Sequence, residues 1–188
     1  MGKIILGSSS PRRFDILKQL NLDFEVIPSS YVEKHDQTDF SYDFVENLAY
    51  NKALAVAKVL NKKEEYYPVI GADTIVVIDN KILGKPENFD NAFSMLKNLS
   101  GKTHFVVTAV SVVNSENLQA KTESCTTYVT FNELSNEQII NYINNYKPFD
   151  KAGAYGIQEL PDGFVKEVKG ELDNVIGLPS KLLSELLK

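Results

Sequence analysis

Apolar and polar positions change period several times along the chain, and each change marks an element. Ile4, Ile5 and Leu6 form a continuous apolar run bounded by Gly7, the pattern of a short strand buried on both faces. Ser10 then stands at a helix cap and Pro11 at the first helical position, where the missing N–H had no partner to lose. Phe14, Leu17 and Leu20 are spaced to form the buried face of that helix. A strand is expected over 24–27, followed by a polar loop over 29–41 rich in Asp, Glu, His and Tyr. The next helix runs over about 42–60, with Val45, Leu48, Ala49, Val56, Val59 and Leu60 as its apolar stripe.

Residues 69–78 read as a strand with a break in it, with Asp79-Asn80 as a turn and 81–83 as a short return strand. A helix over 90–99 is closed by Gly101, and 104–113 and 124–131 are two further strands. Ser135 with Gln138 forms a capping box for a helix ending at Tyr146. A glycine-bearing loop over 153–156, a strand over 164–168 and an amphipathic helix over 179–187 complete the chain. There is no internal repeat, low-complexity tract or long linker. Strands and helices interleave while several strands are joined by short turns, so the expected class is α/β with a mixed sheet and helices packed on it.

Composition narrows the function classes. The 188 residues are 43% apolar, enough for a core in one large domain or two tightly joined lobes. No apolar run approaches the roughly 20 residues of a membrane helix, and too few apolar residues precede Gly7 for a signal-peptide core. The expected location is cytoplasmic, without a membrane partner. With Cys125 as the single cysteine there is no intrachain disulfide, and its alternating surroundings suit a strand thiol. His35 and His104 are the only histidines; without zinc-ligand spacing, any metal should be a hard cation held by carboxylates and phosphate. A net charge of −5, from 20 basic and 25 acidic residues, argues against nonspecific binding of a nucleic-acid polymer.

Candidate chemistry lies where polar residues break these patterns. In Gly7-Ser8-Ser9-Ser10-Pro11-Arg12-Arg13 a strand runs directly into a helix start. Free N–H groups, hydroxyls and two guanidinium forks there suit a phosphate; a capped helix with solvated arginines is the plain alternative. Lys52 projects from the apolar stripe of its helix, either into a site or with its amine snorkelling to water. Asp73 interrupts an apolar strand, where a carboxylate must be paired, metal-bound or catalytic, unless a bulge at Gly71-Ala72 turns it out of the sheet. Lys85, in Gly84-Lys85-Pro86, returns near Asp73 at the end of the strand pair and is either a phosphate neutraliser or an ordinary loop lysine. In residues 150–158, two glycines permit close backbone approach and Gln158 offers an amide able to read a base edge.

Taken together the chain resembles the Maf proteins, a family of nucleoside triphosphate pyrophosphatases. The resemblance spans nearly the whole chain and is carried, in order, by Ser8-Ser9-Ser10-Pro11-Arg12-Arg13, Glu33, Leu48-Ala49 with Lys52-Ala53, Gly71-Ala72-Asp73-Thr74, Gly84-Lys85-Pro86, Leu99-Ser100-Gly101 with His104, residues 150–158, and residues 174–179. It implies a single catalytic domain over 1–188 with the α/β fold shared by Maf and inosine-triphosphatase-like proteins: a strongly twisted mixed sheet flanked by helices, two lobes around a cleft. The implied reaction is hydrolysis between the α and β phosphates. Asp73 is then the proton acceptor, Glu33 a ligand of a divalent cation (Mg²⁺ or Mn²⁺), Ser8 and Arg13 phosphate binders, and Lys52 and Lys85 catalytic cations. Arg12, Thr74 and Gln158 match the branch acting on dTTP and UTP, with modified pyrimidine nucleotides as a possible extension, whereas the 7-methylguanosine triphosphate branch differs there. Gly7 stands where alanine is usual, and Ala109 where glycine is frequent. Family members are often dimers, so a homodimer is one implied form. Two alternatives remain open here: a nucleotide-sensing regulator of septum formation that needs no turnover, and a purine-directed inosine triphosphate pyrophosphatase. The P-loop and dinucleotide fingerprints are absent.

Overall fold

The computed structural model describes residues 2–33 and 37–188. Its seven strands are β1 (Ile4–Leu6), β2 (Phe24–Val26), β3 (Pro68–Ile78), β4 (Lys81–Leu83), β5 (Thr103–Asn114), β6 (Ala120–Phe131) and β7 (Val165–Lys169). They form one sheet in the order β2-β1-β3-β5-β6-β7, with β4 also paired to β3. β1 runs parallel to both its neighbours and every other pairing is antiparallel, which makes the sheet mixed, as expected. The parallel pairs need crossovers, supplied by the helices α1 (Pro11–Gln19) and α2 (Tyr42–Lys62). The other helices are α3 (Phe89–Leu99), α4 (Asn136–Tyr146), α5 (Leu172–Ile176) and α6 (Ser180–Leu186), with two 3₁₀ turns at Ala152–Ala154 and Ile157–Glu159. Among the described residues no helix is long and apolar enough to cross a membrane.

β3 organises the molecule. Its register with β5 continues from Pro68–Asn114 to Val77–Phe105 without a shift, so the expected break is absent, and so is the bulge that was the alternative reading of Asp73. Gly71 has a different reason: a Cβ there would lie 2.3 Å from the Ala49 carbonyl oxygen and 2.5 Å from the Ala53 nitrogen. The glycine lets α2 press directly on the strand. On that face Val69 packs with Ala53, Val56 and Leu60, while Ile75 and Val77 pack with Val45 and Ala49. On the opposite face Ile70 and Ala72 meet Leu17, Leu178 and Leu183, and Val76 and Ile78 meet the α3 and α4 residues Leu96, Leu99, Ile139 and Ile143.

One edge of β3 is covered by β5. The other is shared, with β1 pairing to Val69 and Ile70 and β4 to Val76, Val77 and Ile78. Between them no described strand covers the middle of β3, and this gap fixes where a ligand can approach. The hairpin turn is as expected, with Asp79 and Asn80 both at positive φ, 50° and 61°, the pair a type I′ turn requires. The segment just before α2 folds back on β4 through an isolated bridge between Asp39 and Lys81 and an Ile82 N–H to Thr38 carbonyl bond of 2.8 Å. Part of the polar loop expected over 29–41, residues 34–36, lies outside the described residues.

Three helical details correct the sequence reading. In α1, Ile16 and Leu17 are buried while Phe14 is 41% exposed and only edges against Phe24. Arg13 takes the inward position instead, because 13, 16, 17 and 20 share the face that meets the sheet. Ser10 occupies the cap position but its hydroxyl makes no capping bond; the Ser8 hydroxyl accepts the Ser10 N–H at 3.3 Å. In α2, Val59 is 48% exposed, and Ala53 and Ala57 hold the buried stripe because only small residues fit that close to β3. The capping box at Ser135 and Gln138 is formed.

Candidate active site

The gap at the edge of β3 opens into a cleft of about 630 Å³. Alternation along β3 sends Asp73 to the α2 face and Thr74 to the other, and both line the cleft. From α2, the Lys52 ammonium reaches Asp73 Oδ1 at 2.5 Å and Glu33 Oε1 at 2.6 Å. Lys52 and Asp73 are nearly buried, with side chains 14% and 10% exposed. The inward lysine and the strand carboxylate, separately anomalous in sequence, therefore satisfy one another. Burial pushes the Asp73 carboxyl above the usual carboxylate range, against the pull of Lys52 and Arg13, and nearby Glu33 adds to the rise.

Below this group, Arg13 is held at each of its three nitrogens. Its Nε donates to the Gly177 carbonyl at 2.9 Å, one terminal nitrogen to the Ser8 hydroxyl at 3.1 Å and the other to Thr74 Oγ1 at 3.2 Å. Burial lowers the Arg13 pKa from its ordinary value. The Thr74 hydroxyl lies 3.0 Å from that of Thr108. The fully buried Asn174 accepts the Thr108 N–H at 3.0 Å and donates to the Val106 carbonyl and the Thr127 hydroxyl, each at 3.0 Å. Asn174 thereby seats the short α5 and carries Gly177 to Arg13. Ser8, expected to meet phosphate, lies behind Arg13 and is not among the cleft-lining residues; Ser10, Arg12 and Arg13 form that wall.

Arg12 points across the cleft to Asp150, 3.3 Å away. The other oxygen of Asp150 binds Lys151 at 2.8 Å, and Lys151 also meets Glu159 at 3.1 Å. Gln158, exposed, and Lys85, exposed at the rim, line the same cleft. Sequence reasoning gave Asp150, Lys151 and Glu159 no individual role, since adjacent opposite charges in a loop look solvated. On the core side of this loop, the Tyr155 hydroxyl is 2.7 Å from His104 Nε2, and His104 Nδ1 is buried with no hydrogen bond among the described residues. Desolvation lowers the His104 pKa to about 4 and raises that of Tyr155 well above its ordinary value. Apart from Ser8, every residue expected to serve the site, namely Arg12, Arg13, Glu33, Lys52, Asp73, Thr74, Lys85 and Gln158, lines this one cleft.

Comparison with known proteins agrees with this grouping. The family model described as "Maf-like protein" matches residues 3–188. The chain belongs to that family. It is 44% identical over 191 residues to the "dTTP/UTP pyrophosphatase" of Acetivibrio thermocellus, covering 100% of this chain and 95% of that protein. It is 46% identical over 186 residues to the protein of the same name from Thermoanaerobacter pseudethanolicus, covering 99% and 95%. The namesake from Thermosipho africanus is 45% identical over 185 residues, covering 98% and 92%.

In this Maf-like protein the described residues hold no cluster of three or more side chains suited to a metal. Two carboxylates, Glu33 and Asp73, nevertheless converge on one cationic point, the Lys52 ammonium. That donor set fits Mg²⁺ or Mn²⁺ bound as such ions usually are beside nucleotides, by one or two carboxylates with phosphate oxygens and water completing the shell.

Proposed function

We propose that the protein hydrolyses dTTP and UTP to the nucleoside monophosphate and pyrophosphate, acting as a single catalytic domain over 1–188. The observation that carries this reading is the Glu33–Lys52–Asp73 group set in a cleft that also holds Arg13 and Lys85. A polyphosphate needs such cations, and a water attacking it needs such a base. Asp73 takes a proton from the attacking water, whose oxygen bonds to the α-phosphorus as the bond to the α–β bridging oxygen breaks. Pyrophosphate leaves with that electron pair. The raised Asp73 carboxyl is a stronger base than an ordinary aspartate.

Lys52 exchanges a carboxylate for a phosphate oxygen when substrate enters, and Lys85 neutralises the leaving pyrophosphate. Glu33 would hold a divalent cation together with phosphate oxygens of the substrate, and the ion would offset charge developing on phosphate. Arg12, Thr74 and Gln158 read the base.

The test is pyrophosphate release from dTTP, UTP, CTP, GTP and 7-methyl-GTP with Mg²⁺ or Mn²⁺. Release from dTTP and UTP should exceed the others, and Gln158→Ala should reduce that preference about tenfold, the worth of one hydrogen bond to the base. An unchanged preference in Gln158→Ala removes that residue from base reading, and release confined to GTP or 7-methyl-GTP refutes the substrate assignment.

A further inference from the structure

The carboxylate of Asp150 is held at both oxygens, by Lys151 at 2.8 Å and by Arg12 at 3.3 Å. It joins two separate parts of the cleft wall, the first turn of α1 and the loop of residues 150–159. The loop side of this link is firmly built. The Lys151 side chain is 9% exposed, its ammonium is also paired with Glu159, and its stem passes so close to Gly156 that a Cβ there would lie 2.8 Å from Lys151 Cε. The Gly153 N–H donates to the Gly84 carbonyl at 3.0 Å and the Gly156 N–H to the Tyr142 hydroxyl at 3.1 Å. Asp150 is thus a fixed anion presented to a mobile type of side chain.

We propose that Asp150, backed by Lys151, is a specificity-determining positioning residue that aims the Arg12 guanidinium at the pyrimidine base. This rests on the assignment of base reading to Arg12 under the proposed function. Only one terminal nitrogen of Arg12 is taken by Asp150, which leaves the rest of the rigid donor fork for a ligand. Thymine and uracil present a carbonyl oxygen at position 4, an acceptor for those donors; cytosine presents an amino group there, itself a donor. A guanidinium held in place favours the first and opposes the second. One released into its many rotamers can turn away, and the penalty against cytosine falls.

The experiment compares kcat/KM for dTTP and dCTP in the wild-type protein, Asp150→Asn, Arg12→Ala and the double variant. Asp150 is 62% exposed, so its substitution leaves the core intact. Asp150→Asn should lower the dTTP-over-dCTP ratio about tenfold, as for loss of a single hydrogen-bond-scale preference. The change should fall on KM for dTTP and on dCTP turnover, with kcat for dTTP nearly retained. Asp150→Glu should keep most of the ratio. In the Arg12→Ala background Asp150→Asn should change nothing, since the carboxylate then has no guanidinium to aim. An unaltered ratio in an active Asp150→Asn enzyme, or an equal shift with and without Arg12, overturns the inference alone. A wild-type protein that hydrolyses neither nucleotide overturns the proposed function with it.

Discussion

Lys52, Asp73 and His104 are polar groups placed where the chain otherwise buries hydrocarbon, and each answers the cost differently. Lys52 and Asp73 cancel charge directly; His104 stays neutral, packed edge-on against Phe131 and Tyr155. With its folded pKa near 4 against 6.5 in the unfolded chain, the folded state binds fewer protons than the unfolded one between those values. Stability from this residue is therefore complete above about pH 6.5 and is lost as pH falls toward 4, by about 3 kcal/mol in all. Urea unfolding at pH 7 and pH 5 should show wild-type protein losing about 2 kcal/mol more than His104→Gln, which bonds Tyr155 without titrating. Equal losses in the two proteins contradict a neutral His104. The sequence exposed Lys52 and Asp73 because each broke an apolar period. It hid the inward turn of Arg13, because Phe14 beside it was the more apolar choice. Glu33 lies in a loop without periodicity, so only the family resemblance picked it out; Lys85 and Gln158 drew notice from the residues around them, and the resemblance assigned their roles.

At the scale of elements, the distance between α2 and β3 sets the geometry of the Lys52–Asp73 pair, and Gly71 sets that distance. A methyl group at Gly71 meets backbone atoms of Ala49 and Ala53 that cannot rotate away. Gly71→Ala should therefore destabilise the fold by about 3 kcal/mol, at the upper end for overpacking. Thermal unfolding should show a Tm lower by about 6–12 °C, with activity impaired even below the transition because Lys52 shifts with its helix. A Tm within about 2 °C of wild type contradicts this close packing. Helical periodicity and the capping residues made the long helices legible, and the Asp79-Asn80 turn announced its hairpin. The role of Gly71 was not legible, because a glycine inside a strand marks either a bulge or a close neighbour, and the neighbour is 18 to 22 residues away in sequence. α5, five residues long, is too short to show a period, and it stands through the tertiary hydrogen bonds of Asn174.

For the molecule as a whole, the decisive feature is that β1 and β4 share one edge of β3 and leave its centre uncovered. Strand order is a property of long-range pairing, so local patterns predicted a mixed sheet without locating this gap. The gap gathers Arg12, Arg13, Lys52 and Lys85 in a protein whose net charge is −5, so a polyanion meets local cations on an otherwise acidic chain. Asp73 lies at the centre of that gap, and the most direct measurement is turnover of dTTP with Mg²⁺ by wild-type protein and Asp73→Asn, followed together with dTTP binding. Wild-type protein should release pyrophosphate and dTMP in equal amounts. The variant should bind dTTP within about threefold of wild type yet turn over about 10²–10⁴-fold more slowly, the usual contribution of a general base. Wild-type turnover by Asp73→Asn, or release of inorganic phosphate and dTDP instead, would contradict the assignment of Asp73 as the base for attack at the α-phosphorus.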